Sequence, residues 1–346
     1  MSKIKGQVMV LGFLCLSLFL VSGCDSNNKQ GADQEYPKEV RIGIIRVPND
    51  KQVAIAENYF STYFDELGIS QKFVFFDSGV AANQAFASGS IDFAEMGYTN
   101  GVVALGSDLP VKLIWLHEII GSSEGLVVQG ETEIRQVADL VGKKIATPFS
   151  STAHYSLLNS LKEAGIADQV TLLDMQTSEI VAAWERGDID GAYTWEPTLS
   201  VLKEKGQVII DSQELAAAGY LTANIELVHE NFAKKYPELV TSYLDILNQG
   251  VQLYQKEPKK AGKAAAKALD ITETEALAQM AGTRWLTKEE QLQEGFLGTQ
   301  EKPGAFSQVF LETAEFLKDQ GVLAEVPTSA AINQFIDTSY LEATLK

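Results

Sequence analysis

Small hydrogen-bonding side chains crowd one stretch of this chain, Thr147-Pro148-Phe149-Ser150-Ser151-Thr152-Ala153-His154, which continues Tyr155-Ser156-Leu157-Leu158. The segment Lys143-Lys144-Ile145-Ala146, which opens on two lysines, reads as a short strand that must stop at Pro148, whose fixed φ and missing N–H cannot continue a ladder. From Ala153 to Ala164 apolar residues recur at helical spacing, and Ser150, Ser151 and Thr152 are each competent N-caps. A strand that passes through hydroxyl residues into a helix N-terminus offers free backbone N–H groups, hydroxyl donors and the positive end of a helix dipole. Together these hold a small anion without a cation. Plain helix capping is the competing reading for any one of the three hydroxyls, and a capped core histidine is the competing reading for His154.

The elements needed to position this stretch are legible around it. Strands at 40–45, 73–76 and 91–95 alternate with helices at 52–67 and 81–87, and the loops between them are 46–50, 77–79 and 97–100. Strand–helix alternation at this spacing implies parallel βα units. The order then recurs: Gly68-Ile69 is echoed by Gly165-Ile166, the run 73–77 by 170–174, and Gly89-Ser90-Ile91-Asp92 by Gly187-Asp188-Ile189-Asp190. The reading is two lobes of like architecture, 36–127 and 129–222. Ligands of open parallel sheets sit beyond the carboxyl ends of the strands, which in the second lobe are 147–152, 174–177 and 194–197. Two such rims face to face make a closable cleft. Strands at 111–118, 126–128 and 221–228 follow the same logic. Beyond Asn231 the pattern turns helical (232–257, 259–269, 273–282, 306–319, 330–336), so residues 223–346 are expected to return to the first lobe, mostly as helices packed on it. Trp115 and Trp184 fall in core patterns, and Arg46 is the one basic side chain on the first rim.

Composition bounds the class. With 346 residues the chain can build about two cores, and 45% hydrophobic with 21% charged residues is ordinary for a globular protein. Lys3 and Lys5 precede an apolar run at 8–21, too short for a comfortable membrane span, and Val21-Ser22-Gly23-Cys24 ends it. The expectation is a leader at 1–23, a lipidated Cys24 as membrane anchor, and a polar flexible tether at 24–35. The two cysteines are Cys15 and Cys24, so loss of the leader leaves one and allows no internal disulfide. The net charge of −18 becomes −20 once Lys3 and Lys5 are gone, which argues against nucleic acid as a partner. His117, His154 and His229 lack metal-ligand spacing, and no Gly-x-Ser-x-Gly elbow is present; neither a metal nor a cofactor is expected.

Several of these segments are familiar as a set. Thr147-Pro148-Phe149, Ser151-Thr152, His154 to Leu158, the run 182–193 beginning Ala182-Ala183-Trp184, Phe76-Asp77-Ser78-Gly79, Ser123-Glu124 and the late Phe316-Leu317-Lys318 resemble the taurine-binding proteins of bacterial ABC importers. These belong to the wider sulfonate, nitrate and taurine solute-binding family. The resemblance spans most of 38–325 and thins after about 225. It implies an α/β type II periplasmic-binding-protein fold, two lobes around a central cleft with C-terminal helices on the first lobe. It further implies a monomeric, exported, non-catalytic carrier that delivers a small sulfonate to a permease.

On that resemblance the sulfonate would sit among Ser78, Thr99, Ser150, Ser151, Thr152 and His154, with His154, in its cationic form, as a donor to the anion. Tyr98 and Trp195 would wall the cleft, and Glu124 would take the ammonium of an amino-sulfonate. The chain departs from the family at Asn224, where an aspartate is usual, and at Glu196, where a small residue is usual. The expectation is that Glu196 replaces the missing charge; a solvated glutamate at a helix start is the alternative. Two other functions fit the same cleft: an enzyme of the pyrimidine-precursor-synthase branch, and a ligand-sensing partner of a membrane receptor.

Overall fold

The computed structural model describes residues 35–345, and everything below concerns those residues; the expected leader, tether and lipidated Cys24 lie outside them. Eleven strands are present: β1 (Glu39–Ile45), β2 (Ser70–Phe76), β3 (Phe93–Gly97), β4 (Val111–Ile120), β5 (Glu124–Gln129), β6 (Lys144–Thr147), β7 (Thr171–Asp174), β8 (Gly191–Trp195), β9 (Gly206–Asp211), β10 (Ala223–His229) and β11 (Thr283–Arg284). They form a six-stranded sheet ordered β11-β4-β10-β3-β1-β2 and a five-stranded sheet ordered β7-β6-β8-β5-β9.

The internal repeat is visible in the pairing. In the first sheet β1 lies parallel to β2 and β3, then β10 runs antiparallel to both β3 and β4. In the second, β6 lies parallel to β7 and β8, then β5 runs antiparallel to both β8 and β9. The first sheet is therefore completed by β10, which returns from beyond the second lobe, and the second by β5, the strand that directly follows the crossing. This is why residues 124–127, expected in the first lobe, pair in the second: the chain crosses at 121–123, ahead of β5 rather than after it. The crossing back lies before β10.

Each lobe is a sheet with helices on both faces. One apolar cluster joins β1, β3, β4 and β10 to the helices beyond residue 230 (Leu239, Leu244, Leu247, Phe306, Phe310), so the C-terminal helices do pack on the first lobe. The second sheet has separate clusters on its two faces, around Leu157 and Leu161 on one and Ile180 and Trp184 on the other.

Local chemistry adjusts several expected boundaries. The helix expected over 52–67 is two helices, Asp50–Ala56 and Tyr59–Glu66, broken at Asn58, which takes a left-handed φ of 61°. The expected 232–257 helix is likewise two, Glu230–Lys235 and Pro237–Lys256, because Pro237 opens a new helix at its first position. Residues 97–100, expected as a loop, instead start the helix Tyr98–Gly106. Strand β9, the helix Ser212–Ala217 and the two-residue β11 go unread in the sequence; β9 is only partly buried and β11 is too short to show alternation.

Candidate ligand-binding site

The helix Thr152–Glu163 starts where the sequence indicates. Ser151 is its N-cap: its Oγ accepts from the His154 N–H (3.1 Å) and donates to the Pro148 carbonyl (2.6 Å). Ala153, Leu157 and Leu161 bury one face against the second sheet, the two leucines contributing about 2 kcal/mol each. In the first lobe Ser78 is the N-cap of the helix Gly79–Ala87, but its side chain makes no capping bond.

These two N-termini meet at one cavity, about 610 Å³ of empty space when the open solvent at its mouth is counted. Its wall comes from the carboxyl ends of β1, β2 and β3 (Pro48, Ser78, Gly79, Gly97, Asn100), of β6 and β8 (Ser151, Thr152, Trp195, Glu196), and from the crossing strands (Glu118, Glu124, Asn224). Gln279 and Thr283 close it from the C-terminal helical region. No lysine or arginine lines it.

Packing at the wall is tight. A Cβ on Gly79 would lie 2.3 Å from Asn100 Oδ1, and one on Gly97 would lie 3.0 Å from Thr152 Cγ2. Asn100 Nδ2 and Thr99 Oγ1, both from the first lobe, donate to the carbonyl of Ser150 in the second at 3.1 and 3.0 Å. Ser150 holds a left-handed φ of 62°, which turns that carbonyl outward to the clasp.

Seven of the eleven expected site residues line the cavity: Ser78, Glu124, Ser151, Thr152, Trp195, Glu196 and Asn224. Four are placed elsewhere. Tyr98 is fully buried, bonded to Thr313 Oγ1 (2.8 Å) and packed edge-on against Phe306. Thr99 and Ser150 form the clasp between lobes. His154 stacks on Phe149, ring centroids 4.3 Å apart, and its Nδ1 accepts from the Ser150 N–H (3.2 Å). Burial, only partly opposed by Asp174, pushes its pKa down to about 4; the ring is neutral and accepting rather than a cationic donor. Arg46 lies over the ring of Phe75 instead of in the cleft. The 174–177 stretch contributes nothing to the wall; Asp174 accepts from the Phe149 N–H.

Glu124 is cradled by hydroxyls. Thr152 Oγ1 donates to its Oε2 (2.5 Å), and Ser212 and Ser156 donate to Oε1 (2.6 and 3.4 Å). Burial lifts its pKa to about 7 against those donors. Glu196, reached after β8 and followed by a cis Pro197, is fully engaged: Oε2 accepts from the Ser200 N–H (2.8 Å) and Oε1 pairs with Lys203 Nζ (2.9 Å).

Outside the expected rims and site, the cavity is also lined by Glu118, Ile120, Gln279 and Thr283, while Asn100 comes from the expected 97–100 rim. Glu118 is buried on β4; its Oε1 accepts from Asn224 Nδ2 at 2.6 Å and its Oε2 has no hydrogen-bond partner. Burial raises its pKa to about 8, with the His117 charge opposing and Glu95 adding. One residue earlier on the strand, His117 sits in a fully buried charge network. Its Nδ1 meets Asp50 (2.6 Å) and its Nε2 meets Glu226 (2.7 Å), while Lys51 Nζ meets Glu226 (2.5 Å). Burial alone would lower the His117 pKa, but Asp50 and Glu226 outweigh it and raise it to about 10. This network ties β4, β10 and the helix Asp50–Ala56 together and does not line the cavity. A charged residue inside an otherwise apolar strand pattern was the available signal for both Glu118 and His117.

A model of the family described as NMT1/THI5 like matches residues 56–261. The chain belongs to this family. Within reach of it, the chain is 33% identical over 299 residues to the taurine-binding periplasmic protein of Escherichia coli (strain K12), spanning 84% of this chain and 89% of that protein. It is 30% identical over 258 residues to a putative aliphatic sulfonates-binding protein of Bacillus subtilis (strain 168), spanning 73% and 74%. Among solved structures, the alkanesulfonate-binding protein SsuA from Xanthomonas axonopodis pv. citri, bound to MOPS, superposes with a TM-score of 0.71 at 21% identity over 86% of this chain and 98% of that one. The family thus brings the two-lobe periplasmic-binding fold with it, as the sheets above show independently.

Proposed function

We propose that this chain is the solute-capturing component of an importer, and that it holds a small alkanesulfonate, above all an amino-sulfonate such as taurine, between its lobes. The observation that carries this is the meeting of two helix N-termini, at Ser78-Gly79 and Ser151-Thr152, on a cavity without any basic side chain. The first N–H groups of a helix have no intrahelical acceptor, and at a dipole's positive end they suit a weakly basic, spread-out oxyanion. The relatives at 30% identity and above are named for taurine and for aliphatic sulfonates, which supports the same ligand class.

On this reading Ser78, Ser151 and Thr152 surround the sulfonate largely through their backbone, Trp195 lies along the alkyl chain, and the protein carries its ligand unchanged to a permease. A carrier is favoured over an enzyme because the one histidine near the cleft is neutral and turned to the backbone of Ser150. Export to the cell envelope belongs to the same reading, supported by the periplasmic relative, and so does anchoring through Cys24. Titration calorimetry against taurine, ethanesulfonate and nitrate tests it: micromolar or tighter binding of a sulfonate, about −8 kcal/mol, is expected, and failure of every sulfonate to bind overturns it. For the anchor, Cys24→Ala should move the protein from the membrane to the soluble fraction.

A further inference from the structure

Two residues that line the same cavity each carry a buried oxygen without a hydrogen-bond partner: Oε2 of Glu118 and Oε1 of Gln279. A buried acceptor left bare costs free energy that a ligand donor can recover. Once Glu118 is ionised both groups need donors, and among the described residues no lysine or arginine lines the cavity to supply them. A ligand ammonium supplies several N–H donors and a positive charge from one atom.

The sequence pointed to Glu196 for this task, but both of its oxygens are already taken, by the Ser200 N–H and by Lys203. Glu124 is also committed, to three hydroxyls. Glu118 alone keeps an oxygen in reserve, and Asn224 holds it in place by donating to the other at 2.6 Å. The amide on β10 thus orients the carboxyl on the neighbouring strand β4, where the two residues are paired in register.

We infer that Glu118, assisted by Gln279, is the residue by which this protein selects sulfonates that carry an ammonium group over those that do not. The inference deepens the ligand class proposed above and rests on it. Calorimetry with taurine and with ethanesulfonate, which lacks the amine, tests it on the wild type, Glu118→Gln, Gln279→Met and Glu196→Gln.

Glu118→Gln is expected to weaken taurine at least about tenfold, the worth of a charge-assisted bond, while ethanesulfonate binding stays within about threefold or tightens. Gln279→Met should weaken taurine in the same selective sense, by a smaller factor, and serves if Glu118→Gln folds poorly. Glu196→Gln, which breaks the Lys203 pair at the cavity wall, should shift both ligands by the same factor. Taurine affinity unchanged in Glu118→Gln, an equal loss of both ligands in folded variants, or selective loss in Glu196→Gln overturns the inference and leaves the sulfonate reading standing. A wild type that binds neither compound removes the sulfonate reading, and this inference with it.

Discussion

Glu118, Glu124 and His117 set the behaviour of the ligand-free protein at the scale of single residues. The two carboxyls have pKa values raised to about 8 and about 7 in the folded protein from an ordinary value near 4.5, chiefly by burial. Above about pH 4.5 the unfolded chain has released protons that the folded one still holds. Stability is therefore full below that point and declines as pH rises toward 7 and 8, by about 1.4 kcal/mol per pH unit for each group fully in its window. His117 acts in the same sense at higher pH: its folded pKa of about 10 lies above the ordinary 6.5, so its contribution is present below 6.5 and lost toward 10. The melting temperature of the ligand-free protein should fall steadily from pH 5 to pH 8, and Glu124→Gln should flatten the part of that fall below pH 7. A melting temperature that is level or rises over this range in the wild type would contradict the assignment. Ser150 and His154 show the converse lesson. Their residue types suggested contact with an anion, yet the backbone of Ser150 serves the clasp and the imidazole serves Ser150.

The site depends at the scale of elements on how closely two helices approach in the first lobe. The helix Gly79–Ala87 meets the helix Tyr98–Gly106 with Gly79 against Asn100, and a Cβ there would fall 2.3 Å from Oδ1 and 2.5 Å from Cγ of that asparagine. Asn100 has no free alternative, since its carbonyl accepts from Asn83 (2.9 Å) and its amide grips Ser150. Gly79→Ala should therefore cost about 1–3 kcal/mol of stability by overpacking and weaken the ligand by displacing Asn100 from the cavity wall. Urea unfolding together with calorimetry checks both effects; an unaltered midpoint with unaltered affinity would show that the helices can part without consequence.

Closure is the property of the whole molecule. The two lobes are held across the cavity by the hydrogen bonds of Thr99 and Asn100 to the Ser150 carbonyl, and by the close approach of Thr152 to Gly97. An interaction made only in the closed arrangement strengthens binding by biasing the protein toward that arrangement. Thr99→Val keeps the shape and removes one such bond, worth about 1 kcal/mol, so ligand affinity should fall about fivefold. The radius of gyration of the ligand-free variant in small-angle scattering should exceed that of the wild type and return to it on saturation. Equal radii and equal affinity would mean that the clasp does not govern closure.

The sequence by itself determined the parts whose physics is local. Ser151 capping a helix after Pro148, the parallel βα units, the duplicated Gly-Ile and Ile-Asp landmarks, and seven lining residues of the cavity all follow from propensity, capping and the rule that ligands gather at strand tips. It misread what depends on neighbours distant in the chain. The lobe boundary expected at 127–129 falls inside β5, which pairs wholly within the second sheet, because an apolar run does not say which sheet it completes. Glu196 looked like a free carboxylate because Ser200 and Lys203 reach it only once the chain has turned after β8. Glu118 and Gln279 come together only when β4 and the C-terminal helical region close one cavity. Charge in a cleft is decided by which partners remain unpaired after folding, and that is a property of the packed chain.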